Sequence, residues 1–222
     1  MGMGCGEIGE CESGHGPRIS RELQLPSFHS LKLSGSDRLI LRQGAPQEVR
    51  VEGQQNIIEL IRLDVDRGEW DIRTRGCVRR HQGLTYYVTI PEVRTLSLEG
   101  SGDIRTENIL VSPEIQFEIT GSGAITAEVK AQSVHTEVAG SGILLLSGES
   151  EAADVEITGS GECQMADLRA QAVTVDIEGS GNAYVTALDL LKVDIKGSGH
   201  VYYRGQPAIH SSITGSGKLI KR

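Results

Sequence analysis

The feature that most constrains this chain is a tripeptide, Gly-Ser-Gly, repeated seven times. The first glycines of the copies are Gly100, Gly121, Gly140, Gly159, Gly179, Gly197 and Gly215, at steps of 21, 19, 19, 20, 18 and 18 residues. A self-similar period near 20 residues predicts a solenoid and outranks any local reading. Half of the chain's 28 glycines sit in these copies. The glycine excess therefore marks an ordered, recurring position and not a disordered tract.

Each copy lies within an alternation of period two. Two residues before the first glycine stand Leu98, Ile119, Val138, Ile157, Ile177, Ile195 and Ile213. Four before it stand Leu96, Phe117, Thr136, Val155, Val175, Val193 and Ser211, and four after it Ile104, Ile125, Leu144, Cys163, Ala183, Val201 and Leu219. The residues between are mostly polar. This pattern predicts a strand with one buried face, a tight turn and a second strand. A unit of this length is too short for a strand–helix–strand crossover but suits one coil of a parallel β-helix. Coils stacked about 4.8 Å apart would give a rod of roughly 35 Å from seven units. The corner calls for glycine because it needs φ > 0 and because stacked corners leave little room for side chains. The serine hydroxyl is expected to bond local backbone there.

Residues 17–94 lack the repeat but carry strand patterns. LKLSGSDRLILRQG (31–44) predicts two strands about a turn at Gly35, and EVRVEG (48–53) another. Residues 56–76 predict a helical turn at their start, then a hairpin turning at Asp66, Arg67 and Gly68. This region is expected to cap the N-terminal end of a β-helix over 95–222, with Ser34-Gly35-Ser36 hinting at a degenerate coil. Together 17–222 read as one domain. Residues 1–16 are rich in Gly and small polar residues and are expected to form a flexible tail. Gly4-Cys5 is similar to the end of a lipoprotein processing site, although no basic and apolar leader precedes it.

Three segments carry a family resemblance: PSFHSLKLSGSDRLILRQG (26–44), VEGQQNIIELIRLDVDRGEWDIR (51–73) and TIPEVRTLSLEGSGDI (89–104), followed by the Gly-Ser-Gly coils. From about Arg18 to Arg222 the chain resembles the bacterial autotransporter-adhesin head domain family, also called the GIN domain family. The resemblance implies a right-handed β-helix in an envelope or secreted protein. It implies no enzyme activity and carries over no functional residue.

The chain carries few recognisable chemical motifs. Nothing resembles a nucleophile triad, and GSGKL (215–219) lacks the spacing of a phosphate-binding loop. A calcium ladder fails because the Asp103 position becomes Ala124, Ile143, Glu162, Asn182, His200 and Lys218 in later coils. Cys5, Cys11, Cys77 and Cys163 have no zinc spacing; Cys163 is expected as a buried free thiol, and Cys5 with Cys11 would pair only in an oxidising compartment. No cofactor or metal is expected. A net charge of −8 argues against sequence-independent binding to nucleic acid or anionic lipid. No apolar run of 18 residues occurs, so membrane attachment would come through a lipid anchor.

The one conspicuous outer column lies three residues before each repeat: Ser97, Glu118, Glu137, Glu156, Asp176, Asp194 and Ser212. Its five successive carboxylates form a candidate surface ladder for a cation or a basic partner. The plainer reading is a solvated face interleaved with Lys and Thr. RTRGCVRRH (73–81) could contact an acidic glycan or form a solvated loop. Trp70, Tyr86, Tyr87, Tyr202 and Tyr203 are candidates for sugar stacking or for packing. The expected function is a non-enzymatic adhesin or scaffold of the cell envelope or exterior, with a glycan or protein as ligand. The alternatives are a carbohydrate-active β-helix enzyme, which would need convergent Asp/Glu and Lys/Arg in a groove, and a self-associating module, because the last coil has no evident cap.

Overall fold

The computed structural model describes residues 11–222. It is about 70% strand and 2% helix. The long segments Leu110–Gly121, Ala124–Gly140, Ile143–Gly159, Glu162–Gly179 and Asn182–Gly197 each pair parallel with the next. Register is kept at the corner, where Gly100, Gly121, Gly140, Gly159, Gly179, Gly197 and Gly215 stack in one file. A second bend runs through Pro113, Gln132, Glu151 and Gln171, where the pairing skips one residue per coil. A proline is tolerated there because its missing N–H is not required by the ladder.

The physical demand at the first corner is clearest at Gly121. Its φ is +127°, and a Cβ built on it would lie 2.4 Å from the Gly100 carbonyl oxygen. Gly123 meets a second obstacle, with a Cβ falling 2.5 Å from the Leu98 side chain. The serine between them contributes its amide: Ser122 N–H donates to the Gly100 carbonyl at 2.8 Å, and each later corner repeats the bond. The expected hydroxyl-to-backbone bond is thus corrected. The amide carries the ladder round the corner and the hydroxyl faces out, with Ser198 and Ser216 hydroxyls 2.9 Å apart.

The three predicted inward columns form the core. Leu98, Ile119, Val138, Ile157, Ile177 and Ile195 are all buried, as are Ile104, Ile125, Leu144, Cys163, Ala183 and Val201. Each large aliphatic in such a file contributes roughly 1.5–3 kcal/mol by leaving water. Thr136 is the buried polar member of its column, and its hydroxyl donates to the Asp154 carbonyl at 3.1 Å. The columns lose cover at the final coil, where Ile213 is 40% exposed.

Stacking order departs from chain order at the N-terminal end. Ser30–Gly35 pairs in register with Thr95–Gly100, and Arg38–Gln43 pairs with Asp103–Thr106. The hinted degenerate coil is therefore real, and Gly35 heads the glycine file. On its far side lie Glu69–Ile72 and Thr85–Ile90. The coil of residues 30–43 is thus sandwiched between two later segments. Glu48–Gln54 then runs antiparallel to Thr85–Ile90, and Arg18–Glu22 antiparallel to Glu48–Gln54. The helical turn Gln55–Ile58 buries Ile57 and Ile58 over this end. The short, charged antiparallel strand Arg18–Glu22 forms the edge here, which blunts it against further pairing.

The N-terminal segment also differs from expectation. Cys11 is disulfide-bonded to Cys77, 66 residues away, and Glu12–Ser13 pairs with Val78–Arg79. The flexible tail predicted over residues 1–16 is corrected for residues 11–16, which the cross-link and the short strand fix to the cap. A pairing of Cys5 with Cys11 is excluded by the same bond. Cys5 itself, with its expected lipid, lies outside the described residues.

Candidate functional site

The carboxylate ladder follows from register. Glu118, Glu137, Glu156, Asp176 and Asp194 stand directly opposite one another in successive coils. Neighbouring columns temper the repulsion. Gln116 donates to Glu118 at 2.7 Å, Lys196 pairs with Glu178 at 2.9 Å, and His135 lies 3.2 Å from Asp154 and 3.4 Å from Glu114. Partial burial, and then the charge of Asp194, hold the Asp176 carboxyl above its ordinary range, with Lys196 opposing. Among the described residues no three His, Cys, Asp or Glu side chains gather as a metal site. The ladder is a face of parallel charges without a converging centre.

The other sequence candidates separate into packing and surface. Trp70 and Tyr86 are fully buried in the cap, edge to face with centroids 5.9 Å apart, and the Trp70 indole donates to the Arg62 carbonyl at 2.9 Å. Tyr87 lies beneath the Arg50 guanidinium, 3.9 Å from its ring centre. Tyr203 packs against the core. Arg73 pairs with Asp71 at 2.9 Å, and the rest of the 73–81 arginine stretch is held at Cys77 by the disulfide. Cys163 is buried and unpaired, and burial pushes its thiol up to about 12.

Tyr202 is different, and it reveals a residue the sequence reading passed over. Tyr184 stands opposite it in the preceding coil, five residues after the first glycine of its repeat. Their rings stack with centroids 4.8 Å apart and planes within 10°. The Arg222 guanidinium lies 4.4 Å from the Tyr202 ring centre and 5.4 Å from that of Tyr184. The signal that could have found Tyr184 was this shared column position, since period-two alternation points both rings outward.

Beside Tyr184 the flank is not flat. Pairing slips between Leu145 and Ser147 and again between Met165 and Arg169. Met165 and Leu168 both stay buried, so the extra length of that coil is expelled as an outward bulge at Ala166-Asp167. The Thr186 hydroxyl secures the bulge by donating to the Ala166 carbonyl at 2.7 Å. Bulge, tyrosine and Arg222 enclose a groove of about 520 Å³.

These elements define the class: a capped parallel β-solenoid with a filled apolar interior and regular side-chain columns on its outer faces. The chain belongs to the family described as "Putative auto-transporter adhesin, head GIN domain", whose model matches residues 27–207. Similar solved structures include a putative adhesin from Bacteroides fragilis, at 22% identity and a TM-score of 0.89, covering 95% of this chain and 100% of that one. Another is a putative lipid binding protein from Parabacteroides distasonis, at 22% identity and a TM-score of 0.83, covering 96% and 100%. A third, a putative adhesin from Parabacteroides merdae, is 18% identical with a TM-score of 0.76, covering 95% and 98%. At these identities the likeness speaks for the fold. No curated protein matches the chain.

Proposed function

We propose that this chain is a non-enzymatic protein of the bacterial envelope or exterior that presents the flanks of a rigid solenoid for adhesion. The carrying observation is the in-register stack around a filled apolar core, which leaves the outer columns as contact surface. Membership of an adhesin-head family supports the reading. So does the Cys11–Cys77 disulfide, because such bonds persist in oxidising compartments. Among the described residues no helix is long and apolar enough to cross a membrane. The membrane attachment proposed with this reading is a lipid on Cys5, at the Gly4-Cys5 pair. The ligand is a glycan or a protein. Nucleic acid is disfavoured, since residues 95–194 hold 17 carboxylates against four Lys or Arg.

The test is retention of the chain on a glycan array and on immobilised host matrix proteins. A parallel series uses the triple variant Glu118→Gln/Glu137→Gln/Glu156→Gln. Retention on at least one surface is expected, with salt-sensitive loss in the triple variant if the partner is basic. Retention on none overturns the reading, and sugar release from a retained glycan replaces it with the enzymatic alternative. Self-assembly is a second reading, favoured by the exposure of every residue of the strand Ala208–Gly215 in the last coil. Light scattering that gives a monomer up to the highest soluble concentration rejects it.

A further inference from the structure

We infer that the groove beside Tyr184 is a saccharide-binding subsite, taking one or two sugar rings of an uncharged or amino-bearing oligosaccharide. The inference rests on the adhesin reading and names the chemistry of its ligand. A pyranose ring has an apolar C–H face and a rim of hydroxyls. Its recognition needs a flat aromatic surface and, around it, planar groups that both donate and accept hydrogen bonds. The groove supplies each.

One face of Tyr184 is covered by Tyr202, and the groove extends from the other side across the preceding coils. The ring is already stacked, so little side-chain freedom remains to be lost on binding. Leu145 gives the floor an apolar patch. Lining this side stand the Glu162 carboxylate and the Gln164 amide, Gln164 directly opposite Tyr184 in the preceding coil, joined by a 3.1 Å hydrogen bond that orients both. Gln164 keeps its carbonyl as an acceptor and one N–H as a donor. Asp167 is lifted to the opposite rim by the bulge, with Arg204 only 3.7 Å away, and Arg222 brings guanidinium donors over the tyrosine pair. The volume falls within the range of about 300–1,000 Å³ usual for small-ligand sites. Two carboxylates facing the groove oppose an anionic ligand.

Sequence and geometry agree that the groove is a built departure from the repeat. The tyrosine column is occupied by Thr126, Leu145 and Gln164 in the three preceding coils, and pairing from the coil of Thr126 to that of Leu145 runs without a bulge. Here an inserted length in one coil and aromatic rings in the next two coils occur side by side.

The experiment is a glycan array probed with the wild-type chain, followed by calorimetric titration of the retained oligosaccharides against wild type, Tyr184→Ala, Tyr184→Phe and Asp167→Ala. Wild type is expected to retain a defined subset of glycans. Tyr184→Ala should weaken binding about tenfold or more, as loss of an aromatic stacking surface implies. Tyr184→Phe, which keeps the ring, should bind within roughly twofold of wild type on the same ground. Asp167→Ala should lose affinity without changing which glycans are bound. Tyr184 is only half-buried, and unchanged circular dichroism and melting of each variant separate binding from folding. Absence of any retained glycan, or wild-type affinity in Tyr184→Ala, overturns the subsite. If adhesion to matrix proteins survives that result, the broader reading stands; if the chain adheres to nothing, both fall.

Discussion

At the scale of single residues, two causes act on the corner glycines, and the structure separates them. Gly35 and Gly121 share a left-handed backbone, with φ of +119° and +127°. A Cβ on Gly35 meets nothing within 4 Å, whereas one on Gly121 would strike the carbonyl of Gly100 at 2.4 Å. Gly35→Ala therefore carries backbone strain alone, about 1–2 kcal/mol. Gly121→Ala adds displacement of a neighbouring coil, for a total of about 3 kcal/mol or more. Urea unfolding midpoints check this, and equal losses at both sites would reject the stacking explanation. The repeat told where glycine stands. It did not tell that the first glycine answers to φ and to the coil before it, while the third is held only by close contact.

At the scale of elements, the ladder and the cap each have a measurable consequence. Asp176 has its carboxyl raised by partial burial and by Asp194, so ionisation is disfavoured in the folded state. The sign follows. The penalty is absent at low pH, where the group is protonated whether folded or not. It grows as pH rises from the unfolded carboxylate value through the raised folded value, and is complete above that. Asp176→Asn should therefore stabilise the chain at pH 7 by about 0.5 kcal/mol, in the range for like charges on adjacent strands. The gain should vanish near pH 3. Thermal melts at the two pH values decide it, and a variant less stable than wild type at pH 7 refutes the repulsion. In the cap, the Cys11–Cys77 bond closes a 66-residue separation. Loop-closure entropy assigns such a bond about 4 kcal/mol. Cys77→Ser should loosen residues 11–90 by up to about that amount while leaving the central coils protected. Hydrogen exchange resolved by peptide measures both halves of that statement; uniform loosening along the chain would contradict it.

At the scale of the whole molecule, legibility in the sequence tracks locality. The Gly-Ser-Gly period and the columns of Ile and Val were readable because each coil repeats the same short-range pattern, and the stack follows from its neighbours. The sandwiching of residues 30–43 between 69–90 and 95–106 was not, because pairing partners there are chosen by long-range closure of the core. The Cys11–Cys77 bond was hidden for the same reason. The groove was half legible: Tyr202 was visible as a candidate, but the Ala166-Asp167 bulge appears only when coils of unequal length are forced into register.

The same nearest-neighbour logic fixes how the molecule should come apart. A central coil is clamped on both sides, and Ile157 and Ile177 are 1% exposed. The last coil is clamped on one side only. Every residue of Ala208–Gly215 is exposed, and Ile209 and Ile213 are each 40% exposed. The N-terminal end, by contrast, is closed by antiparallel strands and a disulfide. Stability in such a stack is a sum of coil and interface contributions, so opening should propagate from the C-terminal end. Amide exchange at pH 7 is expected to be fastest over residues 208–221, slower over 182–204 and slowest over 125–179. Ile213→Ala should cost little, about 1 kcal/mol, because much of its side chain is already in water. Ile177→Ala, in a fully enclosed file, should cost about 2–5 kcal/mol. Equal protection of residues 208–221 and the central coils would mean that this end is covered in solution, and would turn the prediction into evidence for self-association.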